Sequence, residues 1–144
     1  MNNWQRSFVT KLESARKHWR RTFDEIATEH VEPVNDEFSE FATKNGFTCT
    51  SPASEAGTYF YKFALTENGY AIIAFRLAGM DTVEVVTEVR VPGPDEVAPL
   101  KTTTPLSDAN RSWATQQFQH ALDHFANAFS AASAEAAEKL VAAS

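Results

Sequence analysis

The sequence predicts an α+β fold with a long N-terminal helix, an antiparallel meander of four to five strands and a long C-terminal helix. Apolar residues follow a helical spacing through the first 41 positions, and they alternate with period two from about residue 58 to residue 91. Helical spacing returns after residue 108. These periods distinguish helix from strand. Because each element has one apolar face to bury, we expect a two-layer sandwich with both helices on one face of the sheet.

The composition is that of one globular domain covering residues 1–144. The chain has 43% hydrophobic residues, and its formal net charge of -6 disfavours sequence-independent binding to nucleic acid or anionic lipid. No apolar run approaches the roughly 18 residues that a membrane span needs, and the first residues do not look like an export signal. The single cysteine, Cys49, has no partner for an internal disulfide. We therefore expect a cytoplasmic protein.

The N-terminal helix is predicted over residues 3–44 with a kink near Pro33. Proline lacks an amide proton, and its ring crowds the carbonyl of Glu29, so the helix should restart near Val31 and Glu32. The apolar positions of this segment lie three or four residues apart, as one helical face requires. They are Trp4, Phe8, Leu12, Ala15, Trp19, Phe23, Ile26, His30, Val34, Phe38 and Phe41.

Basic and acidic residues are segregated to opposite halves of the same helix, and this segregation predicts a homodimer. Six basic residues and only Glu13 precede residue 24, whereas seven acidic and no basic residues follow up to Glu40. An antiparallel pair of such helices is self-complementary. A helix of about 40 residues spans about 60 Å and outreaches a strand of about 25 Å. The predicted interface residues are Trp4, Phe8, Leu12, Trp19, Phe23 and Trp113. Alternatively, the kink folds the chain back and the stripe is buried within its own domain.

The sheet is predicted from strands at 58–65, 70–77 and 82–91, with weaker ones at 47–50 and 97–103. Asn68-Gly69 between the first two favours a two-residue type I′ turn. That turn would place Phe63 opposite Ala74 on the helix-covered face, together with the valines of the third strand.

The other face of this sheet is the predicted ligand or partner surface. A solvated face rarely carries two phenylalanines. In the predicted register, Lys62, Phe75 and Glu84 form one row across three strands. Charges mixed with aromatic residues suit recognition of a protein or an apolar small molecule better than acid/base chemistry. The predicted surface residues are Phe60, Lys62, Phe75, Glu84, Val86 and Arg90.

The closing helix is predicted to begin at a cap on Ser107 or Asp108. Its inward face continues along the helix, and its alanine-rich end has little to bury. The predicted inward positions are Phe118, Leu122, Phe125, Phe129, Ala132, Ala136 and Leu140.

A metal site is the alternative functional hypothesis. His120 and His124 have the spacing at which two imidazoles reach one metal ion, and the helical wheel puts them on a stripe with Trp113. The sequence nominates no firm third ligand, so surface histidines beside a partner are the default interpretation.

The basic cluster around Trp19 is a third, weaker candidate, for phosphate binding. No helix-turn-helix and no aromatic RNA-reading pattern accompanies it. The leading hypothesis is a non-enzymatic binding, adaptor or chaperone-like homodimer without a cofactor. A small metal-dependent enzyme or metal-binding protein using His120 and His124 is the alternative. Secretion chaperones are similar in size and acidity, but no helix interrupts these predicted strands, so no family is assigned.

Overall fold

Two helices joined by a widened turn precede a five-stranded sheet, and a third long helix follows it. The computed structural model describes residues 2–51 and 57–143. The helices are α1 Asn3–Ile26, α2 Glu32–Lys44 and α3 Arg111–Ala143, with a π-helical turn at Ala27–Val31 between α1 and α2. The strands are β1 Thr48–Thr50, β2 Thr58–Thr66, β3 Gly69–Ala78, β4 Thr82–Arg90 and β5 Leu100–Pro105. The predicted α+β fold is confirmed.

The π-helical turn accounts for the predicted irregularity near Pro33. Pro33 cannot donate a hydrogen bond to the carbonyl of Glu29, four residues earlier. The preceding amide, Glu32 N–H, donates instead to the Ala27 carbonyl, which closes the wider turn. Regular helix resumes at Glu32, where Pro33 is tolerated because first-turn amides need no helical acceptor.

The inward side of α2 departs from the predicted apolar stripe at the end of the helix. Val34 is fully buried and Phe38 stacks on Phe118, as the stripe requires. Phe41, the last residue of the predicted stripe, is 64% exposed, and Ala42 is buried instead. The buried apolar side chains from the end of α1 through α2 are Phe23, Ala27, Val31, Val34 and Ala42.

The sheet is an antiparallel meander in the order β1-β2-β3-β4-β5. One face is covered, with α2 on β1 and β2 and α3 on β3 and β4. Phe118 of α3 lies at the centre of this core, with ring centroids 5.6 Å from both Tyr61 and Phe75 and 6.0 Å from Phe63. Phe38 of α2 stacks on the same ring at 5.6 Å. The expected placement of both helices on one face is therefore confirmed.

The predicted register of the first hairpin is wrong by three residues. Phe63 pairs with Ala71 rather than with Ala74. The turn lies between Thr66 and Gly69, and a bulge between Ala64 and Thr66 precedes it. Gly69 thus begins β3 instead of forming the centre of the turn.

An odd shift of register exchanges the two faces of a strand. Ile73 and Phe75, expected on the uncovered face, lie fully buried under the helices. Lys62 pairs with Ile72, and Glu84 pairs with Arg76. The predicted row of Lys62, Phe75 and Glu84 therefore does not form.

The start of α3 also differs from the prediction. Asn110 is the cap, because its Oδ1 accepts a hydrogen bond of 2.9 Å from the Trp113 amide. Ser107 and Asp108 belong to a short 3₁₀ turn that is held by the buried side chain of Leu106. At the other end of α3, Ala136 and Leu140 are exposed, so the predicted inward stripe ends earlier.

Candidate functional site

The face of the sheet opposite the helices is the first candidate site, and we call it the open face. It consists of alternate residues of β2 to β5, which point away from the core because successive strand residues point to opposite sides. Its residues are Thr58, Phe60, Lys62, Tyr70, Ile72, Ala74, Arg76, Glu84, Val86, Glu88, Arg90, Lys101 and Thr103.

The centre of the open face is apolar. Phe60, Ala74 and Val86 form one row across β2, β3 and β4, and Ile72 lies in the next row. All four side chains are half-buried by their neighbours. Together with flanking polar residues, they line a shallow depression of about 290 Å³. A depression that is open on its outer side suits a broad partner surface better than an enclosed small molecule.

Basic side chains stand around this apolar centre. Lys62 lies on β2 and Lys101 on β5, while Arg76 and Arg90 lie toward opposite ends of the central strands. The open face therefore carries four cations against two carboxylates, Glu84 and Glu88, in a protein whose formal net charge is -6. This surface is locally positive.

Glu84 lies at the floor of the open face beneath two of these cations. Its Oε1 is 2.7 Å from Arg76 Nη2, and its Oε2 is 3.4 Å from Lys101 Nζ. Its side chain is only 9% exposed, against 56% for Arg76 and 63% for Lys101. An approaching molecule therefore meets the cations first.

Lys62 is positioned by a neighbouring ring. Its Nζ lies 4.5 Å from the ring centroid of Tyr70 on the adjacent strand. Such a cation–π contact contributes roughly 0.5–1 kcal/mol at an accessible site. The contact also covers one side of the Tyr70 ring.

The second candidate site is the N-terminal part of α1, residues 3–12, which we call the arm. Trp4 is 72% and Phe8 is 54% exposed, and their rings stack at 5.7 Å. The same apolar stripe continues along α1 to the buried side chain of Phe23. Residues 13–20 of α1 border a 330 Å³ cleft against the β3–β4 turn at Gly79. The arm therefore lies at the far end of α1 from the core.

The base of α1 is fixed to the sheet by Tyr59. Its hydroxyl donates a hydrogen bond of 2.7 Å to Asp24 Oδ1, and its ring contacts Phe23 edge-on at 5.5 Å. Burial raises the pKa of Tyr59 to about 12, assisted by the hydrogen bond to Asp24 and by the negative charges of Asp24 and Glu32. This anchor sets the direction in which the arm points.

Two of the predicted interface residues lie in the domain core instead. Phe23 is fully buried, and Trp113 is buried with its ring 5.7 Å from that of Phe75. Trp113 Nε1 donates a hydrogen bond of 3.2 Å to Thr104 Oγ1. The helical wheel placed Trp113 with the histidines, but the edge of the sheet near β5 covers it. Trp4 and Phe8 are exposed as predicted, and Leu12 and Trp19 are half-buried.

Within the described part of the chain, the structure adds no third ligand to the histidine pair. His120 is exposed, and His124 Nε2 lies 3.0 Å from the Ala98 carbonyl oxygen. Among residues 2–51 and 57–143, no group of three or more His, Cys, Asp or Glu side chains is arranged to hold a metal ion. The basic cluster of α1 is solvent-exposed, and within it Arg16 pairs with Glu13 at 3.0 Å.

Comparisons with protein-family models, with curated proteins and with solved structures find no match to this chain. None of the helices in the described part of the chain has a stretch long and apolar enough to cross a bilayer.

Sequence reasoning placed Phe60, Lys62, Glu84, Val86 and Arg90 on the open face, where the structure also has them. It placed Phe75 there wrongly. It missed several members of the same surface, because the register error assigned β3 to the opposite face and left β5 unaligned. The missed residues are Tyr70, Ile72, Ala74, Arg76 and Lys101.

Proposed function

We propose that this protein is a non-enzymatic binding or adaptor protein that acts as a homodimer. The observation that carries the proposal is the arm, on which Trp4 and Phe8 remain exposed although the same stripe is fully buried at Phe23. The open face provides the surface for a further partner. A chain with a single half-buried thiol, Cys49, agrees with a reducing cytoplasm.

Pairing of two chains would remove the arm from water. Aromatic side chains bury about 150–250 Å² each, and burial stabilises by roughly 25 cal/mol per Å². Shielding Trp4 and Phe8 of both chains is therefore a large driving force. A second copy supplies an apolar stripe of the same kind, which is the requirement for a two-fold interface.

The position of the arm favours a protein partner over a lipid surface. An interfacial helix lies flat in the membrane with its apolar side down. The stripe of the arm, however, continues into the side of α1 that packs on the sheet at Trp19 and Phe23. The body of the domain would obstruct a flat bilayer on that side, whereas a partner helix fits beside the end of the sheet.

The exposed charges select an antiparallel arrangement. If Trp4 lies beside the partner's Phe41, then Arg6 comes near the partner's Glu40 in the same register. Arg6, Glu40 and Phe41 are all exposed. Opposite charges then face each other along the helices, which favours this pairing over a parallel one.

Light scattering after size exclusion tests the dimer. We expect a mass twice that of the 16.0 kDa chain. The double variant Trp4→Ser/Phe8→Ser should dissociate to single chains, since it removes the exposed aromatic pair. Leu100→Ser, at another exposed apolar position, is the matched control and should leave the mass unchanged. A wild-type mass of one chain at every concentration and salt level would refute the proposal.

A further inference from the structure

We propose that the open face binds an acidic amphipathic helix from another protein. The inference rests on the proposed function, because it names the partner of the surface described above. Its basis is an apolar centre enclosed by four cations on a protein whose formal net charge is -6.

The dimensions of the open face fit one helix. Lys62 and Lys101 are three strand spacings apart, about 14 Å. Arg76 pairs with Glu84, and Arg90 lies six residues further along β4, about 20 Å away. An α-helix is about 10 Å wide, and about 13 residues of it cover 20 Å. One such segment therefore fills the area between the four cations.

The chemistry of the surface selects the sequence of that helix. The row of Phe60, Ala74 and Val86 accepts an apolar stripe, as grooves for amphipathic helices do. Carboxylates beside the stripe would reach Lys62 and Lys101 on its two sides. Glu84 is already held by two cations at the floor, so Glu88 is the remaining carboxylate that opposes such a partner.

A second copy of this chain is a poor occupant. Two open faces would bring surfaces with the same excess of positive charge together. The first 23 residues contain six basic and one acidic residue, so the arm would be repelled as well. Like charges across an interface suppress a pairing. The acidic α2 of a second copy buries Val34 and Ala42 in its own core and packs there on β1 and β2, so its apolar side is not available. The acidic partner therefore belongs to a different protein.

Single-stranded nucleic acid is disfavoured by the same residues. Stacking needs accessible aromatic rings, but the Tyr70 ring is covered on one side by Lys62 Nζ. Phe60 is half-buried among its neighbours, and Ile72, Ala74 and Val86 offer no flat ring surface.

Binding of labelled peptides to the intact protein tests the inference. The first probe is an 18-residue peptide with leucines at helical spacing and glutamates elsewhere, and the second replaces each glutamate by lysine. We expect the glutamate peptide to bind at least about ten-fold more tightly, with the difference reduced at high salt. The third probe is an oligothymidine of 20 nucleotides, and we expect it to bind more weakly than the glutamate peptide.

Charge variants locate the binding surface. Lys62→Glu and Arg90→Glu should each lower the affinity for the glutamate peptide by about five-fold or more, while Glu88→Gln should raise that affinity by about two-fold. Lys139→Glu, near the end of α3, makes the same charge change elsewhere and should have no effect. Circular dichroism and thermal unfolding verify that each variant is folded.

Three outcomes would overturn the inference: no saturable peptide binding, equal affinity for the two peptides, or tighter binding of the oligothymidine. Insensitivity of the affinity to Lys62→Glu and Arg90→Glu in folded protein would also overturn it. The mass of the protein is measured separately. Dimerisation without peptide binding would therefore refute this inference alone, whereas a single-chain mass would refute the proposed dimer.

Discussion

Gly69 begins β3 at a point where the structure leaves no room for a side chain. A Cβ atom at this position would lie 2.7 Å from Thr66 Oγ1 and 2.8 Å from Phe129 Cε2. The close approach of α3 therefore explains why glycine is needed here. The same packing explains why the Asn68-Gly69 pair does not adopt the turn that its sequence favours.

We expect Gly69→Ala to lower the free energy of unfolding by about 1–2 kcal/mol, since the ring of Phe129 must move aside. Urea denaturation measures the change. In a Phe129→Ala background, the same substitution should lower the free energy of unfolding by a smaller amount, because the obstructing ring is gone. An equal cost in both backgrounds would show that the contact with Phe129 does not cause the effect.

Tyr59 gives the protein a specific sensitivity to alkaline pH. Its pKa is raised from 10.0 to about 12 in the folded state. A raised pKa means that folding favours the protonated phenol, so this stabilisation is complete below pH 10 and is lost as the pH rises toward 12. Burial also raises the pKa of Tyr61, which acts in the same direction.

We therefore expect the free energy of unfolding to decrease between pH 10 and pH 12, and Tyr59→Phe to make this decrease shallower. At neutral pH, the variant should lose about 1 kcal/mol with the hydrogen bond to Asp24. Chemical denaturation at pH 7 and at several values between pH 10 and pH 12 measures the loss and the slope. An unchanged slope in Tyr59→Phe would contradict the assignment.

The elements themselves were predictable because their periods are strong. The helical stripe of α1, the valines of β4 and the phenylalanines of α3 each fix one element and its buried face. The register of β3 was not predictable, because apolar residues occupy both of its faces: Ile73 and Phe75 on one, and Ile72 and Ala74 on the other. Only tertiary packing at Gly69 decides between them.

The position of Phe41 illustrates a second limit of sequence reasoning. At about 100° per residue, positions 41 and 42 lie on either side of the inward direction of Phe38, so helical spacing does not decide which of the two is buried. The structure buries Ala42 and exposes Phe41. The exposed arm was therefore predictable from the sequence, whereas the exposure of the aromatic residue on α2 was not.

Cross-linking tests the antiparallel pairing of α1 with α2. Residues 4 and 41 of one chain are about 55 Å apart along the helices, so a disulfide between them can form only across two chains. We expect Trp4→Cys/Phe41→Cys in a Cys49→Ser background to form a covalent dimer under mild oxidation. Non-reducing electrophoresis detects the product. Trp4→Cys/Leu100→Cys should not cross-link, and equal yields from both variants would contradict the proposed register.

At the scale of the whole molecule, one core supports the two surfaces for which we propose different partners. The helix layer and the sheet bury the same aromatic cluster around Phe118. The arm extends from one end of this body, and the open face lies on the side of the sheet that the helices do not cover. A second copy can therefore occupy the arm while the open face remains accessible.

The charge distribution of the whole chain is strongly uneven. Residues 1–23 have a net charge of +5, and the rest of the chain has -11. Because the positive charges of the first group lie along α1, apart from most of the acidic residues, a single chain has a large permanent electric dipole. In an antiparallel pair the two moments oppose each other and largely cancel. Separated chains should therefore align in an applied field much more readily than paired ones, and transient electric birefringence would register that difference.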